Sequence, residues 1–256
     1  MTTDVTFERD GQVAIITLNR PQKLNAVTPE MSAAIIEAIA AYNDDDDVRC
    51  VIVTGAGPKA FCAGSDIKEL DTYDTPWNFR NRPDYCDAIR RLRKPSIAAI
   101  NGYALGGGLE TSLSCDIRIA SDNAIFAAPE IKLGWIGGGG MATFLVESID
   151  PSNASLMLMT GDPIDAQKAQ AWGLVSEVVA PDALLARARE IAAVIASRAP
   201  IAAEHAKLNR RAAASMPIEK AIEYERDLQT IAFATEDAAE GRAAFKEKRA
   251  PVFRRR

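Results

Sequence analysis

Residues 96–120 read SIAAINGYALGGGLETSLSCDIRIA. The stretch opens just after Lys94-Pro95 on a continuous apolar run, 96–100, of the kind expected for a strand buried on both faces. It closes on a second strand-like run, 116–120. Between them the glycines 106–108 start a helix that carries Leu109 to Cys115. Strand, helix and strand in such short order imply a largely parallel sheet with helices packed on it. Three glycines at a helix start cost roughly 1 kcal/mol each relative to alanine. A bare backbone is therefore wanted there, either because another segment packs very close or because a ligand sits on the amides. Glu110 lies one turn past Gly107, beside any ligand held by that amide. An acidic first turn also stabilises a helix through its dipole, and the residues alone admit both readings.

The same alternation extends towards the N-terminus. Residues 13–18 (VAIITL) form a strand that ends at the turn Asn19-Arg20-Pro21. Thr28-Pro29-Glu30 supplies an N-cap, an N1 proline and an acidic first turn. Ile35, Ile36 and Ile39 continue at helical spacing to about Tyr42. Asp44–Asp47 would oppose the helix dipole and are read as a solvated loop. Residues 48–54 (VRCVIVT) form another buried strand. Gly55-Ala56-Gly57-Pro58-Lys59-Ala60 loosely matches a dinucleotide fingerprint. Pro58 and the following Phe61-Cys62-Ala63-Gly64 stand where the helix should open, so a plain turn is the better account. Gly64-Ser65-Asp66 reads as a capped helix start whose unpaired amides can hold an oxyanion. Pro129-Glu130 could equally open an ordinary short helix or offer a second carboxylate. From about residue 141 the chain turns helical and Ala-rich, with one strand at 175–179. Four helices are predicted at 181–197, 200–214, 217–232 and 236–249.

Composition narrows the chemistry. The 256 residues fit one large domain, or one with an appendage, and a chain of this size needs no disulfide or metal staple. The net charge of −5 argues against a general nucleic-acid binder, and Arg254-Arg255-Arg256 reads as a frayed, solvated end. Cys50, Cys62, Cys86 and Cys115 form no CxxC pair, which favours free thiols in a reducing compartment. No secretory signal and no membrane-spanning apolar stretch is visible, so a cytoplasmic location is expected. A single histidine, His205, excludes a His-rich zinc site and any mechanism that needs two.

Taken in order, several segments resemble the enoyl-CoA hydratase/isomerase (crotonase) superfamily over nearly the whole chain. They are Asn19-Arg20-Pro21 with Leu24-Asn25-Ala26, the run Ala60-Phe61-Cys62-Ala63-Gly64-Ser65-Asp66-Ile67-Lys68, and Lys94-Pro95 leading to Asn101–Glu110. Pro129-Glu130-Ile131-Lys132-Leu133-Gly134, Thr160-Gly161 with Ala171-Trp172-Gly173-Leu174-Val175, and Phe245-Lys246-Glu247-Lys248-Arg249 complete the set. The resemblance implies an α/β fold, a ββα superhelix (spiral) core over 1–195 with a helical C-terminal trimerisation region over 196–256. It implies an acyl-CoA thioester as substrate, no separate cofactor because CoA is part of that substrate, no metal, no nucleic-acid or membrane partner, and a homotrimer or homohexamer. The amides of Ser65 and Gly107 would form the oxyanion hole, and Glu110 and Glu130 would match the two glutamates of the hydratase subgroup. Water addition across an α,β-double bond follows, with Glu130 assigned as the principal acid and Glu110 as the water-positioning base. Enoyl-CoA isomerisation and dehydration of a carnitinyl-like thioester are the alternatives. Lys68, Phe245 and Lys248 would lie near the CoA, Phe245 and Lys248 from a neighbouring subunit, with Ala63, Asp66 and Ile67 flanking it. Cys62 is read as a small core residue rather than a nucleophile.

The chain departs from the family pattern after Gly134. The family's proline is lost, Gly137–Gly140 form a tetraglycine run, and Ala142-Thr143-Phe144 stand in place of a polar Thr-Gln-Arg. A loose, mobile loop and a reshaped acyl pocket are expected there. Trp135, Trp77 and Phe79 are candidates to line that pocket, although Trp77 and Phe79 could equally anchor a surface loop.

Overall fold

A computed structural model describes residues 3–70 and 72–256. The chain opens with an antiparallel hairpin, β1 (Val5–Asp10) and β2 (Val13–Leu18), followed by α1 (Pro29–Asp44). Thr28 caps α1 by accepting from the Met31 amide at 3.3 Å. Strands then come in pairs. β3 (Cys50–Gly55) and β4 (Ala60–Cys62) lead into the short helices α2 (Ile67–Leu70), α3 (Pro76–Arg80) and α4 (Tyr85–Arg91). β5 (Ser96–Ile100) and β6 (Tyr103–Leu105) lead into α5 (Gly107–Ser114). β7 (Ile117–Ser121) and β8 (Ile125–Ala127) lead into a 3-10 turn, Pro129–Leu133, and then α6 (Met141–Ser148) and α7 (Pro151–Thr160). β9 (Ile164–Asp165), α8 (Ala166–Ala171), β10 (Glu177–Val179) and α9 (Leu184–Ala196) close the core. The remaining helices are α10 (Pro200–Ser215), α11 (Ile218–Phe233) and α12 (Glu236–Glu247).

Among the described residues the strands form two sheets. The larger runs β1-β2-β3-β5-β7-β10 and is parallel beyond the hairpin. The smaller runs β4-β6-β8-β9. Each pair gives its first strand to the large sheet and its second to the small one, so the chain winds as a ββα superhelix. This is the ββα superhelix that the resemblance implies, and the local reading of a largely parallel sheet missed the second, smaller sheet. The second strands span only three residues each, too few to show a period in sequence. β1 went unread as well, because only Val5 of it is buried and it carries no apolar run.

Burial explains why these residues hold this topology. Ile15, Ile52, Ile97 and Ile119 face α9, which meets them with Leu184, Ala188, Ala192 and Ala196, one residue per turn. Small side chains at that spacing let the helix lie close on the sheet. Ile16, Val51, Val53 and Ile100 face the other way, into the core under α1, α4 and α5. The C-terminal helices join this core through a buried cation. Lys207 Nζ, on α10, donates to the Lys94 carbonyl at 2.8 Å and pairs with Asp116 at 2.7 Å. Asp116 in turn accepts from the Ser96 amide and hydroxyl, both at 2.9 Å, at the start of β5.

The terminal arginines are docked rather than frayed, which corrects the reading of Arg254–Arg256 as a solvated end. Asp237 accepts from the amides of Arg254 and Arg255 at 2.7 and 2.8 Å, and Arg255 pairs with Glu204 and Asp46. His205 sits between α10 and α11, with Nδ1 3.1 Å from the Leu228 carbonyl. Among the described residues no helix is long and apolar enough to cross a membrane.

Asn25 is fully buried at a positive φ of 57° and ties the loop after β2 to the corner between β3 and β4. Its Oδ1 accepts from the Arg20 amide at 2.9 Å, and its Nδ2 donates to the Ala56 and Ala60 carbonyls at 3.0 and 2.7 Å. Replacing Asn25 with alanine removes three bonds and strands buried carbonyls. A loss of about 3 kcal/mol is expected in urea unfolding, from about 1 kcal/mol per bond.

Candidate active site

Two successive turns of the superhelix touch at one point. The loop that Asn25 organises continues through backbone bonds, Val27 N to Gly64 O at 2.8 Å and Asp66 N to Val27 O at 3.0 Å, which fix Gly64 and Ser65. Against them lies the start of α5. A Cβ placed on Gly107 would sit 3.2 Å from Gly64 Cα and 3.4 Å from Ser65 N. One on Gly108 would sit 1.9 Å from the Cys62 carbonyl, and one on Gly106 2.7 Å from Glu130 Oε1. The three glycines thus answer three separate contacts, and the question left open by the sequence resolves towards close packing. The same packing leaves the Ser65 and Gly107 N–H groups beside each other, and no backbone acceptor among the described residues takes either.

Glu110, one turn into α5, is 7 % exposed. Its Oε1 accepts from the Gly139 amide at 2.6 Å. Burial raises its carboxyl above the usual range, the Gly139 bond opposes this, and the charges of Glu130 and Asp84 push it further up. Glu130, in the turn after β8, is also raised, by burial. Its Oε2 is buried with no hydrogen-bond partner among the described residues. Both carboxyls therefore hold a proton more readily than a free one does.

Both glutamates and both amides face one cavity of about 170 Å³, whose wall is otherwise mainly apolar. Ala63 and Ile67 line it too. Phe79 and Trp135 contribute aromatic surface, while Trp77 is exposed and lies outside it, with Arg80 over its ring at 5.6 Å. Asp66 and Lys68 stand at its margin and do not line it. Asp66 pairs with Arg20 at 3.2 Å and accepts from the Lys68 amide at 3.2 Å. Phe245 is 86 % exposed on α12, and neither it nor Lys248, the left-handed cap of that helix, reaches this cavity within one chain. Cys62 is buried, and burial pushes its thiol up to about 11, which suits a core residue.

The tetraglycine run is tied down, contrary to the expected mobile loop. Gly139 donates to Glu110, its carbonyl accepts from Arg90 Nη1 at 2.7 Å, and Gly140 is the left-handed residue before α6. A Cβ on Gly137 or Gly139 would fall 2.8 or 2.7 Å from a Glu110 carboxyl oxygen. Those two glycines leave room for the carboxylate. Arg90, on α4, and Arg82, which lines the cavity, carried no signal in the sequence, since a lone arginine reads as solvated charge.

Two protonatable carboxyls beside two free amides can polarise a carbonyl and move protons across an adjacent bond. Comparison with known proteins points the same way. The enoyl-CoA hydratase/isomerase family model matches residues 8–256. The chain is 42 % identical to (E)-benzylidenesuccinyl-CoA hydratase of Thauera aromatica, over 98 % of each chain. It is 43 % identical to a probable enoyl-CoA hydratase of Mycobacterium bovis, again over 98 % of each. The crystal structure of an enoyl-CoA hydratase from Bacillus anthracis superposes with a TM-score of 0.94 at 34 % identity, covering 99 % of this chain and 100 % of that one.

Two outcomes follow from this geometry. Because the Glu110 carboxyl is raised in the fold, the native state binds its proton more tightly than the unfolded chain. Stability therefore falls as pH rises from the unfolded carboxyl value, about 4.5, through the raised native one, and the penalty is fully present above it. Glu110→Gln should then unfold at higher urea than the parent at pH 7, with the gain vanishing below the ordinary carboxylate range. Gly139→Ala forces the Glu110 carboxyl to move and should lower turnover by tenfold or more with the fold intact by circular dichroism.

Proposed function

The chain belongs to the enoyl-CoA hydratase/isomerase family and is an enoyl-CoA hydratase, and on that premise we propose that Glu110 and Glu130 carry the proton transfers while the Ser65 and Gly107 amides hold the thioester oxygen. The observation that carries this assignment is the pair of raised carboxyls on the cavity that both free amides face. A thioester carbonyl accepting from both N–H groups is polarised, and negative charge gathers on its oxygen as the β-carbon is attacked. Two fixed donors contribute several kcal/mol to that enolate-like state. Glu110, held as the anion-favouring partner by the Gly139 amide, accepts a proton from water as its oxygen bonds to the β-carbon. Glu130, lacking a donor on Oε2, supplies the proton to the α-carbon. Dehydration runs the same steps in reverse. No metal or separate cofactor enters this scheme, and CoA arrives as part of the substrate.

Lys68 is assigned to the CoA phosphates near the cavity mouth, with Ala63, Asp66 and Ile67 shaping the backbone beside it. Phe245 and Lys248 are assigned to the CoA of a neighbouring subunit, a role supported by the full exposure of Phe245 and its distance from this chain's own cavity. The region 196–256 then serves assembly on a 1–195 core. Ile218, Ile231 and Phe233 leave apolar surface open on α11, as a trimer or hexamer requires. Four unpaired thiols suit a cytoplasmic setting, and the net charge of −5 gives no support to a nucleic-acid partner.

Crotonyl-CoA and longer trans-2-enoyl-CoAs should lose their conjugated absorbance on incubation with the protein. Glu110→Gln and Glu130→Gln should each lower kcat by 10²- to 10⁴-fold, the usual range for a lost general acid or base. Unchanged rates in either variant would remove that residue from the chemistry.

A further inference from the structure

Arg82 is the one basic residue among the described residues that line the cavity. Its side chain is 23 % exposed, with the stem shielded and the guanidinium end still reached by solvent. The firm partner it has is a backbone carbonyl, Phe79 O, reached by Nη1 at 2.8 Å. The ring of Phe79 lies 4.2 Å beneath it. Asp84 stands off at 3.7 Å, and the other oxygen of that carboxylate is already committed, accepting from the Cys86 amide at 2.8 Å as the cap of α4. A guanidinium offers five donors in a planar fork, and here one of them makes a close bond within the protein, which leaves the fork open to a ligand in place of solvent. Nor is Arg82 the counter-ion of the catalytic pair. The charges that bear on Glu110 are those of Glu130 and Asp84, and burial is what raises Glu130. Leu70, Phe79, Leu133 and Trp135 give the same cavity its apolar wall. The volume, about 170 Å³, compares with engineered cavities of about 150 Å³ that hold benzene, so it takes a group of about six carbons.

Building on the hydratase reading, we propose that Arg82 determines specificity by receiving a carboxylate at the end of a short enoyl chain opposite the thioester. The substrate class is then a short enoyl-CoA that carries a second, free carboxylate. Apolar walls hold the carbons, and a fork-to-carboxylate pair of hydrogen bonds fixes the far end and with it the register of the double bond over Glu110 and Glu130.

The test compares two six-carbon trans-2-enoyl-CoA thioesters, one ending in a methyl group and one in a carboxylate, together with their saturated counterparts, which cannot be hydrated. The carboxylated enoyl ester should be favoured at least tenfold in kcat/KM by the parent protein. Arg82→Met should lower that ratio tenfold or more, chiefly through KM, and Arg82→Lys should restore part of it. Because each ratio is taken within one protein sample, partial unfolding cancels. Calorimetric binding of the saturated esters should show the same preference. A parent ratio near one, or a loss in Arg82→Met shared equally by both esters or by free CoA, overturns the proposal. If the saturated carboxylated ester binds preferentially through Arg82 while neither enoyl ester is hydrated, Arg82 keeps its role and the hydration chemistry falls instead.

Discussion

The whole site hangs on one close approach, the backbone of Gly107 lying against the backbone of Gly64 with no side chain between them. That contact joins two consecutive turns of the superhelix, so it forms only if β4 and β6 pair in the small sheet and β3 and β5 pair in the large one. It sets two unclaimed N–H groups side by side. It also puts Glu110, fixed one turn along the helix that begins there, on the wall of the same cavity. A Cβ anywhere in Gly106–Gly108 would push the two turns apart or displace Glu130. The stability lost by starting a helix with three glycines is offset by the packing of the two turns and is accepted where function needs bare amides.

The two glutamates show how environment separates chemically identical groups. Burial raises both. Glu110 Oε1 takes a hydrogen bond from the Gly139 amide, which favours its anion, while Glu130 Oε2 has no partner among the described residues. The tetraglycine run supplies that bond, and it is held at its other side by Arg90, whose guanidinium lies 5.6 Å from the Phe144 ring. A segment that looks slack in sequence is therefore bonded to the Glu110 carboxyl. Gly137 and Gly139 leave the space that this carboxyl fills.

Away from the site, buried charge joins the two parts of the chain. Lys207 on α10 is out of water, and desolvation lowers its tendency to hold a proton, but Asp116 and the Lys94 carbonyl meet it directly. Asp116 is tied in turn to Ser96 at the root of β5. The strand that carries α5 into place and the helices that extend beyond the core therefore share one polar anchor. Arg255 adds a second, pairing with Glu204 of the same helix.

Much of this was legible beforehand. The runs 13–18 and 96–100 are strands with those bounds, and α1, α10, α11 and α12 begin where their prolines and caps place them. The segments Gly64-Ser65, Gly106–Gly108, Glu110 and Glu130 offered the candidates, and the resemblance singled them out, since each alone admitted an ordinary structural use. What stayed hidden has a common cause. Three-residue strands carry no period, so the second sheet could not be read, and Arg82, Arg90 and Arg255 look like solvated charge until burial is known. Local propensity and chemical type are properties of the sequence itself, and they determined most of the longer strands and helices and the kinds of polar group on offer. Distances between segments far apart in the chain are not, and so only the tertiary structure decided which amides lie together, which carboxylate oxygen finds a donor, and which arginine lines the cavity.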